Sequence, residues 1–215
     1  NSTSMRMEMS QLETAGQVAV IDSQVMEEQR ATTLGDVLKN DASVSAGGTG
    51  RNRERFSLRG FDVESSSGFL RDGHQHWSHY RQPVELLERV EVLKGPSGLL
   101  YGISAPGGLI NMVAKKPTYD TQVQVSQDIG SDDQSRTMVD VSGSLNDAQT
   151  LRARTVVSKE SYSSWRTYGD GSKPQTERLV AGLFVDYDVN DDITVSVHYD
   201  KTNDKGSVDS GAVYT

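Results

Sequence analysis

Between Thr121 and Asp200 the chain alternates apolar and polar residues one for one, in five separate segments. Successive side chains of a β-strand point to opposite faces, so strict alternation gives each segment one apolar and one polar face. In the first, Val123, Val125 and Ile129 oppose Gln122, Gln124 and Asp128. In the second, Thr137, Val139, Val141 and Leu145 oppose Arg136, Met138, Asp140 and Ser142. Leu151, Ala153, Thr155 and Val157 oppose Arg152 and Arg154 in the third. Leu179, Ala181, Leu183, Val185, Tyr187 and Val189 oppose Gly182, Asp186 and Asp188 in the fourth. Ile193, Val195, Val197 and Tyr199 oppose Thr194, Ser196, His198 and Asp200 in the fifth. Segments of about ten residues with one apolar face are the mark of transmembrane barrel strands. A soluble β-sandwich has the same period, and by period alone it is the commoner solution.

The connections separate the two. Leu145–Gln149 and Asn190–Asp192 are short and rich in Asn and Asp, whereas Glu160–Glu177 is a long polar excursion with Trp165, Tyr168, Gly169, Gly171 and Pro174. Outer-membrane barrels pair short periplasmic turns with longer extracellular loops. Counted from the first strand, the short turns fall on the periplasmic side; the first outer connection, Gly130–Gln134, is itself short. No run approaches the ~20 apolar residues a transmembrane helix needs. A net charge of −8 weighs against a nucleic-acid partner, which calls for a basic face. Cysteine is absent, so there is no disulfide framework and no thiolate metal site; an oxidising envelope compartment fits. No basic segment leads into an apolar stretch after Asn1, so either a signal peptide has been removed or the start is internal to a longer protein.

Ahead of Pro117 the texture is mixed. Residues 1–17 read as a polar, flexible lead-in, and Val18–Ile21 as a short strand. Asp22 or Ser23 caps a helix through Val25, Met26 and Gln29. Thr33 opens a second helix with Asp36 placed as in a capping box and Leu34, Val37 and Leu38 on one face. Ala46–Arg55 reads as a Gly- and Arg-rich loop, Phe56–Leu58 as a strand ending at Arg59-Gly60-Phe61, and Gly68–Arg71 as a strand entering an Asp72-Gly73 turn. Pro83 opens a helical turn carrying Leu86 and Leu87. Leu87–Pro117 then reads as two short strands joined by a turn punctuated with Gly95, Gly98, Gly102, Gly107 and Gly108.

Several blocks in this half, in order and spacing, carry a resemblance. Thr33–Val37 (TLGDV), Arg59–Phe61 (RGF) followed by Asp72-Gly73, Leu87–Pro96 (LERVEVLKGP), Leu100–Gly102 (LYG) and Pro106–Asn111 (PGGLIN) resemble the plug domain of TonB-dependent outer-membrane siderophore receptors. The resemblance covers roughly residues 18–117 and extends weakly through the strands. It implies an α/β plug of mixed sheet and short helices at 18–118, then antiparallel transmembrane β-barrel strands at 119–215, an incomplete barrel. It implies a receptor of the Gram-negative outer membrane that imports a ferric siderophore, with TonB and its inner-membrane energising complex as partner and with outer-membrane lipid around it. No permanently bound cofactor and no enzymatic activity are implied; Lys94-Gly95-Pro96-Ser97 lacks the ending of a phosphate loop. No nucleophile–base pair or carboxylate dyad stands out.

Candidate ligand contacts follow from residue chemistry placed on that resemblance. Arg51 and Arg53 suit an anionic siderophore through fork-shaped donation, preferred over Arg55 beside the strand; a solvated loop paired with Glu54 is the bland alternative. His74, His76, Trp77 and Tyr80 lie in the Gly73–Tyr80 loop, which in the family rises toward the outer mouth, with the aromatics supplying an apolar wall. His74, His76 and His79 within six residues keep open a haem importer of the same architecture, against the bland reading of incidental histidines. Arg59, Glu88, Arg89, Glu91 and Lys94 are either a solvated strand face or, as the family implies, polar links between plug and barrel wall.

A rival of a different class is a non-transporting surface binding module built on a closed soluble sheet. It buries the apolar faces of Thr121–Asp200, whereas a barrel turns them outward. Five strands leave open edges that lipid cannot satisfy, and a barrel around a plug needs roughly 22. The chain is therefore expected to be a fragment of a longer receptor, with the TonB-contact segment upstream of residue 1.

Overall fold

Thr33 shows how local chemistry sets the first half. Its hydroxyl accepts from the Asp36 amide at 3.0 Å, and the Asp36 carboxylate accepts from the Thr33 amide at 3.2 Å. This reciprocal capping box starts helix α2, Leu34–Leu38. The helix places Leu34, Val37 and Leu38 at zero exposure, worth about 2 kcal/mol each in apolar burial. Asp22 caps the preceding helix α1, Ser23–Glu28, by accepting from the Val25 amide.

The computed structural model describes residues 17–50, 53–95, 106–164, 167–169 and 171–206. They form two compact units, Asn1–Ala114 and Lys115–Thr215. In the first unit the strands are β1 Gln17–Asp22, β2 Val44–Gly50, β3 Arg53–Leu58, β4 Phe61–Val63, β5 Phe69–Arg71, β6 His74–Gln75, β7 Leu87–Lys94 and β8 Gly108–Ala114. One sheet has the order β1-β7-β8-β5-β6, and β2-β3-β4 form a second. The pairing of β5 with β8 is parallel and the others are antiparallel, so the main sheet is mixed.

Alternation on β7 and β8 feeds two clusters. Val90 and Val92, opposite Met112 and Ile110, pack into the main core with α2, Phe56, Leu58 and Phe69. Leu93 and Leu109, opposite each other, join Val18 and Leu70 in a smaller cluster. The glycines between these strands act in two ways. Gly95 and Gly108 have φ of +108° and +129°, which only glycine adopts cheaply. Gly107 serves close approach instead, since a Cβ there would lie 2.5 Å from the Leu58 carbonyl oxygen. Gly98 and Gly102 lie outside the described residues. Asp72-Gly73 turns β5 into β6 with both φ positive, as a type I′ hairpin requires. The turn is pinned to β8, the Gly73 amide donating to Asn111 and the Ala114 amide to Asp72.

Several expectations need correction here. Ala46–Arg55 is largely strand: Ala46 pairs with Phe56 and Gly47 with Arg55, with a register shift before Gly50–Arg53. Ladder bonds are made by the main chain, so a glycine-rich segment with no pattern can still pair. The helical turn after Pro83 covers only Val84–Leu86, and Leu87 already belongs to β7. Gln17 lies in β1; residues 1–16 of the expected lead-in lie outside the described residues.

The second unit is one antiparallel meander: β9 Gln122–Ile129, β10 Ser135–Ser144, β11 Leu151–Ser163, β12 Gln175–Asn190 and β13 Ile193–Gly206, paired in chain order. All five expected strands are present, and among the described residues the sheet is not closed. The expected excursion Glu160–Glu177 is shorter, because β11 and β12 continue until Ser163 pairs with Gln175. Both faces are polar there, which hid the strand ends from a pattern search.

The faces of this sheet are inverted relative to a soluble one. Val139 and Val141 are 37% and 41% exposed, whereas Asp140 between them is 3% exposed. Leu179 and Leu183 are exposed on β12, and Arg178 is buried. Met138, Val156, Val180 and Phe184 share the buried face with Arg136, Arg152, Ser158 and Glu160. Outward Val and Leu beside inward Arg and Asp is the barrel arrangement, not that of a sandwich.

Candidate functional site

The short β5–β6 hairpin launches an extended segment, residues 76–83, held at its start by two backbone bonds. The His76 amide donates to the Phe69 carbonyl at 3.0 Å and the Ser78 amide to the Ser65 carbonyl at 2.9 Å. Between and beyond these anchors the side chains divide between the interior and the surface. Ser78, Arg81 and Gln82 are buried, whereas Trp77 and Tyr80 are 56% and 50% exposed. Trp77, His79 and Tyr80 form a triangle of rings with centroids 5.4–5.7 Å apart, Tyr80 meeting both partners edge-on. Tyr80 also bridges Arg53 through the backbone. Arg53, an exposed arginine of β3, is thereby joined to the aromatic group.

Arg53, Trp77 and Tyr80 are thus brought together, with His79 as an added member. His74 sits on β6 opposite Arg71 and faces solvent. His76 Nε2 lies 3.0 Å from Gln82 Oε1, and His79 Nδ1 lies 3.4 Å from the Ser65 hydroxyl. The three histidines do not converge, and among the described residues no group of three or more His, Asp or Glu could hold a metal ion. Arg51 lies outside the described residues.

Behind this surface is a buttress that sequence reasoning missed. Glu54, next to Arg53, turns inward, and its Oε1 accepts from the Gly35 amide at 3.0 Å. Arg81, next to Tyr80, turns inward too and donates twice to the Thr32 carbonyl, at 3.1 and 2.8 Å. Glu54 therefore grips the first turn of α2, and Arg81 the residue just ahead of its N-cap. Burial pushes the Glu54 carboxyl above the usual carboxylate range, offset in part by the Gly35 bond and the Arg81 charge. The signal was the phase of β3, since Glu54 shares a face with Phe56 and Leu58.

Of the charges expected to link plug and wall, Lys94, Arg89 and Glu91 are paired within the first unit. Lys94 Nζ reaches Asp41 at 2.9 Å, and Arg89 Nε reaches the fully buried Glu91 at 2.8 Å. Burial pushes the Asp41 carboxyl up, but bonds from Ser43 and Lys94 together hold it below its ordinary value. Arg59 sits exposed at φ +53°, its amide donating to the Ser43 carbonyl, and Glu88 is half-buried on β7.

The polar face of the second sheet carries cross-strand ion pairs between every neighbouring pair of strands. Arg136 on β10 meets Asp128 on β9 at 2.9 Å, and Arg154 on β11 meets Asp140 on β10 at 2.7 Å. Arg152 on β11 meets Asp188 on β12 at 2.5 Å, and Arg178 on β12 meets Asp204 on β13 at 2.8 Å.

Comparison with known proteins agrees with this architecture. Residues 10–109 match the TonB-dependent Receptor Plug Domain. The ferripyoverdine receptor of Pseudomonas aeruginosa is 30% identical, over 98% of this chain and 26% of its own length. The catecholate siderophore receptor Fiu of Escherichia coli is 36% identical over 68% of this chain and 20% of its own. The crystal structure of the ferripyoverdine receptor of the P. aeruginosa outer membrane bound to ferripyoverdine superposes with a TM-score of 0.85. It is 25% identical and covers 95% of this chain and 27% of that one. The chain spans about a quarter of the length of the curated relatives it matches first. A mixed-sheet plug followed by an inside-out antiparallel meander, matched in sequence and in structure, places the chain in the family of TonB-dependent receptors.

Proposed function

We propose that this chain is the plug and leading barrel strands of a Gram-negative outer-membrane receptor that binds a ferric siderophore and imports it with energy from TonB. The observation that carries this reading is the inverted sheet, apolar outward and ion-paired inward, directly following a plug domain. Relatives named as ferripyoverdine and catecholate siderophore receptors support the ligand class. Arg53, Trp77 and Tyr80 form the ligand-facing surface, with His74 and His76 on its flanks, and Arg51 is a further candidate contact by its chemistry alone. The guanidinium pairs with carboxylate or catecholate oxygens, and the exposed rings supply flat apolar contact. Arg59 and Glu88, with the Arg89–Glu91 and Lys94–Asp41 pairs, sit where polar links to the wall form or break during transport. Binding and release suffice for this function, with no catalytic step. TonB acts on a segment N-terminal to the plug.

The test is uptake of radiolabelled iron by cells whose sole ferric-siderophore receptor is the full-length protein carrying this chain. Uptake is expected only with TonB present. Trp77→Ala with Tyr80→Ala should weaken binding roughly tenfold or more, as loss of two aromatic contacts does. TonB-independent uptake, or selective binding of haem in place of ferric siderophores, refutes the reading.

A further inference from the structure

The outward face of the second sheet changes character along its height. On β12 it is apolar from Val189 to Leu179, ten residues apart. That is about 33 Å of strand and, at a tilt of about 40°, about 25 Å of height, the size of the apolar band of an outer-membrane barrel. Tyr187 lies near one border and Tyr199 near the other, both exposed, as in an aromatic girdle. At the end away from the short turns, the same face then carries lysine. Lys159 on β11 stands opposite Leu179; on β13, Lys201 stands opposite Ala181 and Lys205 opposite Glu177. All three lysines are exposed. Asn203, between the two β13 lysines, is the partner of Leu179, so Lys159 lies level with the midpoint of that pair. From strand spacing and rise, the β13 lysines start about 13 Å apart and each about 12 Å from Lys159. Lysine stems are long and lie readily along apolar surface, so the three ammonium groups can converge on one headgroup.

Among the described residues, none of these three side chains makes a hydrogen bond or an ion pair. The inward cations of the same strands, Arg136, Arg152, Arg154 and Arg178, are all paired. Nearby carboxylates are few: Glu177 shares the outward face, and in the β9–β10 turn Asp132 is taken by Lys173 and Asp133 by the Ser163 hydroxyl. The opposite end of the face has the reverse charge. Its outward strand positions, Leu145, Leu151, Val189 and Ile193 among them, carry no cation, and its turns hold Asp147, Asp191 and Asp192. Lysines that only marked a membrane border would stand at both borders; these stand at one. We propose that Lys159, Lys201 and Lys205 form a binding site for the phosphorylated glycolipid of the outer leaflet. The ammonium groups take its phosphates, and the apolar band below them takes its acyl chains. The inference rests on the import reading above, which sets this end of the sheet at the outer leaflet.

The test uses the full-length receptor, purified in detergent and delipidated, with lipid A as the probe. Lys159→Gln with Lys201→Gln and Lys205→Gln changes exposed side chains only and should leave heat-modifiable migration in gels unchanged. Its affinity for lipid A should fall roughly tenfold or more, as loss of three lysines near an anionic surface does. Lys159→Arg with Lys201→Arg and Lys205→Arg keeps the charge and should keep the affinity. Dephosphorylated lipid A should bind the unmodified receptor and the glutamine variant alike, and an excess of inorganic phosphate should leave lipid A bound. Equal affinity in the glutamine variant overturns the proposal. So does a loss that persists with dephosphorylated lipid, or one as large in Lys173→Gln, whose ammonium pairs with Asp132 instead. Uptake in cells separates the two readings. An unmodified receptor that imports ferric siderophore yet binds lipid A regardless of these lysines refutes the site alone. One that imports nothing refutes the reading beneath it.

Discussion

Gly108 combines two demands that no other residue meets. Its φ is +129°, and a Cβ would lie 1.9 Å from the Leu93 carbonyl oxygen in the strand beside it. Gly108→Ala must push β7 and β8 apart at the core, and should destabilise the plug by on the order of 3 kcal/mol. Faster amide exchange along β8 in the purified receptor would measure this. Two carboxylates respond to pH with opposite sign. Burial pushes Asp36 up, but hydrogen bonds from Thr32 and Thr33 outweigh it and hold its pKa below the ordinary value. Its stabilisation is therefore present above the ordinary carboxylate range and lost as pH falls through the lowered pKa. Asp36→Asn should cost about 1 kcal/mol at neutral pH and nothing in strong acid, read from urea unfolding at several pH values. Glu54 is raised by burial, so the folded state binds its proton more readily and stability falls as pH rises through the Glu54 pKa. Glu54→Gln keeps the acceptor for Gly35 and should remove that fall, leaving the plug at least as stable at neutral pH.

Elements differ in how plainly their residues announce them. Thr33 and Asp36 declare α2 because capping chemistry is local. Alternation declares β9–β13 because a one-residue slip would turn every apolar side chain to the wrong face. β2 announces nothing: Val44–Gly50 is mostly small residues whose pairing depends on β3 being present. The inversion of the second sheet is also silent in the pattern, since apolar-in and apolar-out strands read identically. It is seen when exposed Leu183 is set beside buried Arg178. Leu183→Arg should cost roughly 2–4 kcal/mol of folding in the bilayer if that face meets lipid. Heat-modifiable migration of the receptor in gels would report the lost folded fraction. The same change in a sheet solvated on that face would be almost neutral.

At the scale of the whole chain, the two units differ in completeness. The first has its own core around α2, β3, β7 and β8. The second ends laterally in β9 and β13, each paired on one side only among the described residues. Unpaired strand edges recruit other strands. The 215-residue chain expressed alone should show protected amides in the plug strands, while its second half aggregates through those edges; a monomer with uniform protection across both halves would contradict this. By itself the sequence determined the class of each half: caps and glycine turns for a plug, period-two segments for a meander, and an ordered set of motifs for the family. Those are consequences of neighbours within a few residues of one another. Only the tertiary structure decided which face of the meander is buried, that Glu54 and Arg81 reach behind Arg53 and Tyr80 to the start of α2, and that Lys115 is held by Asp140. The three side-chain contacts among these join residues 19 to 49 positions apart. No local pattern encodes such pairs, because they arise from burying charge that must find a partner wherever the fold brings one.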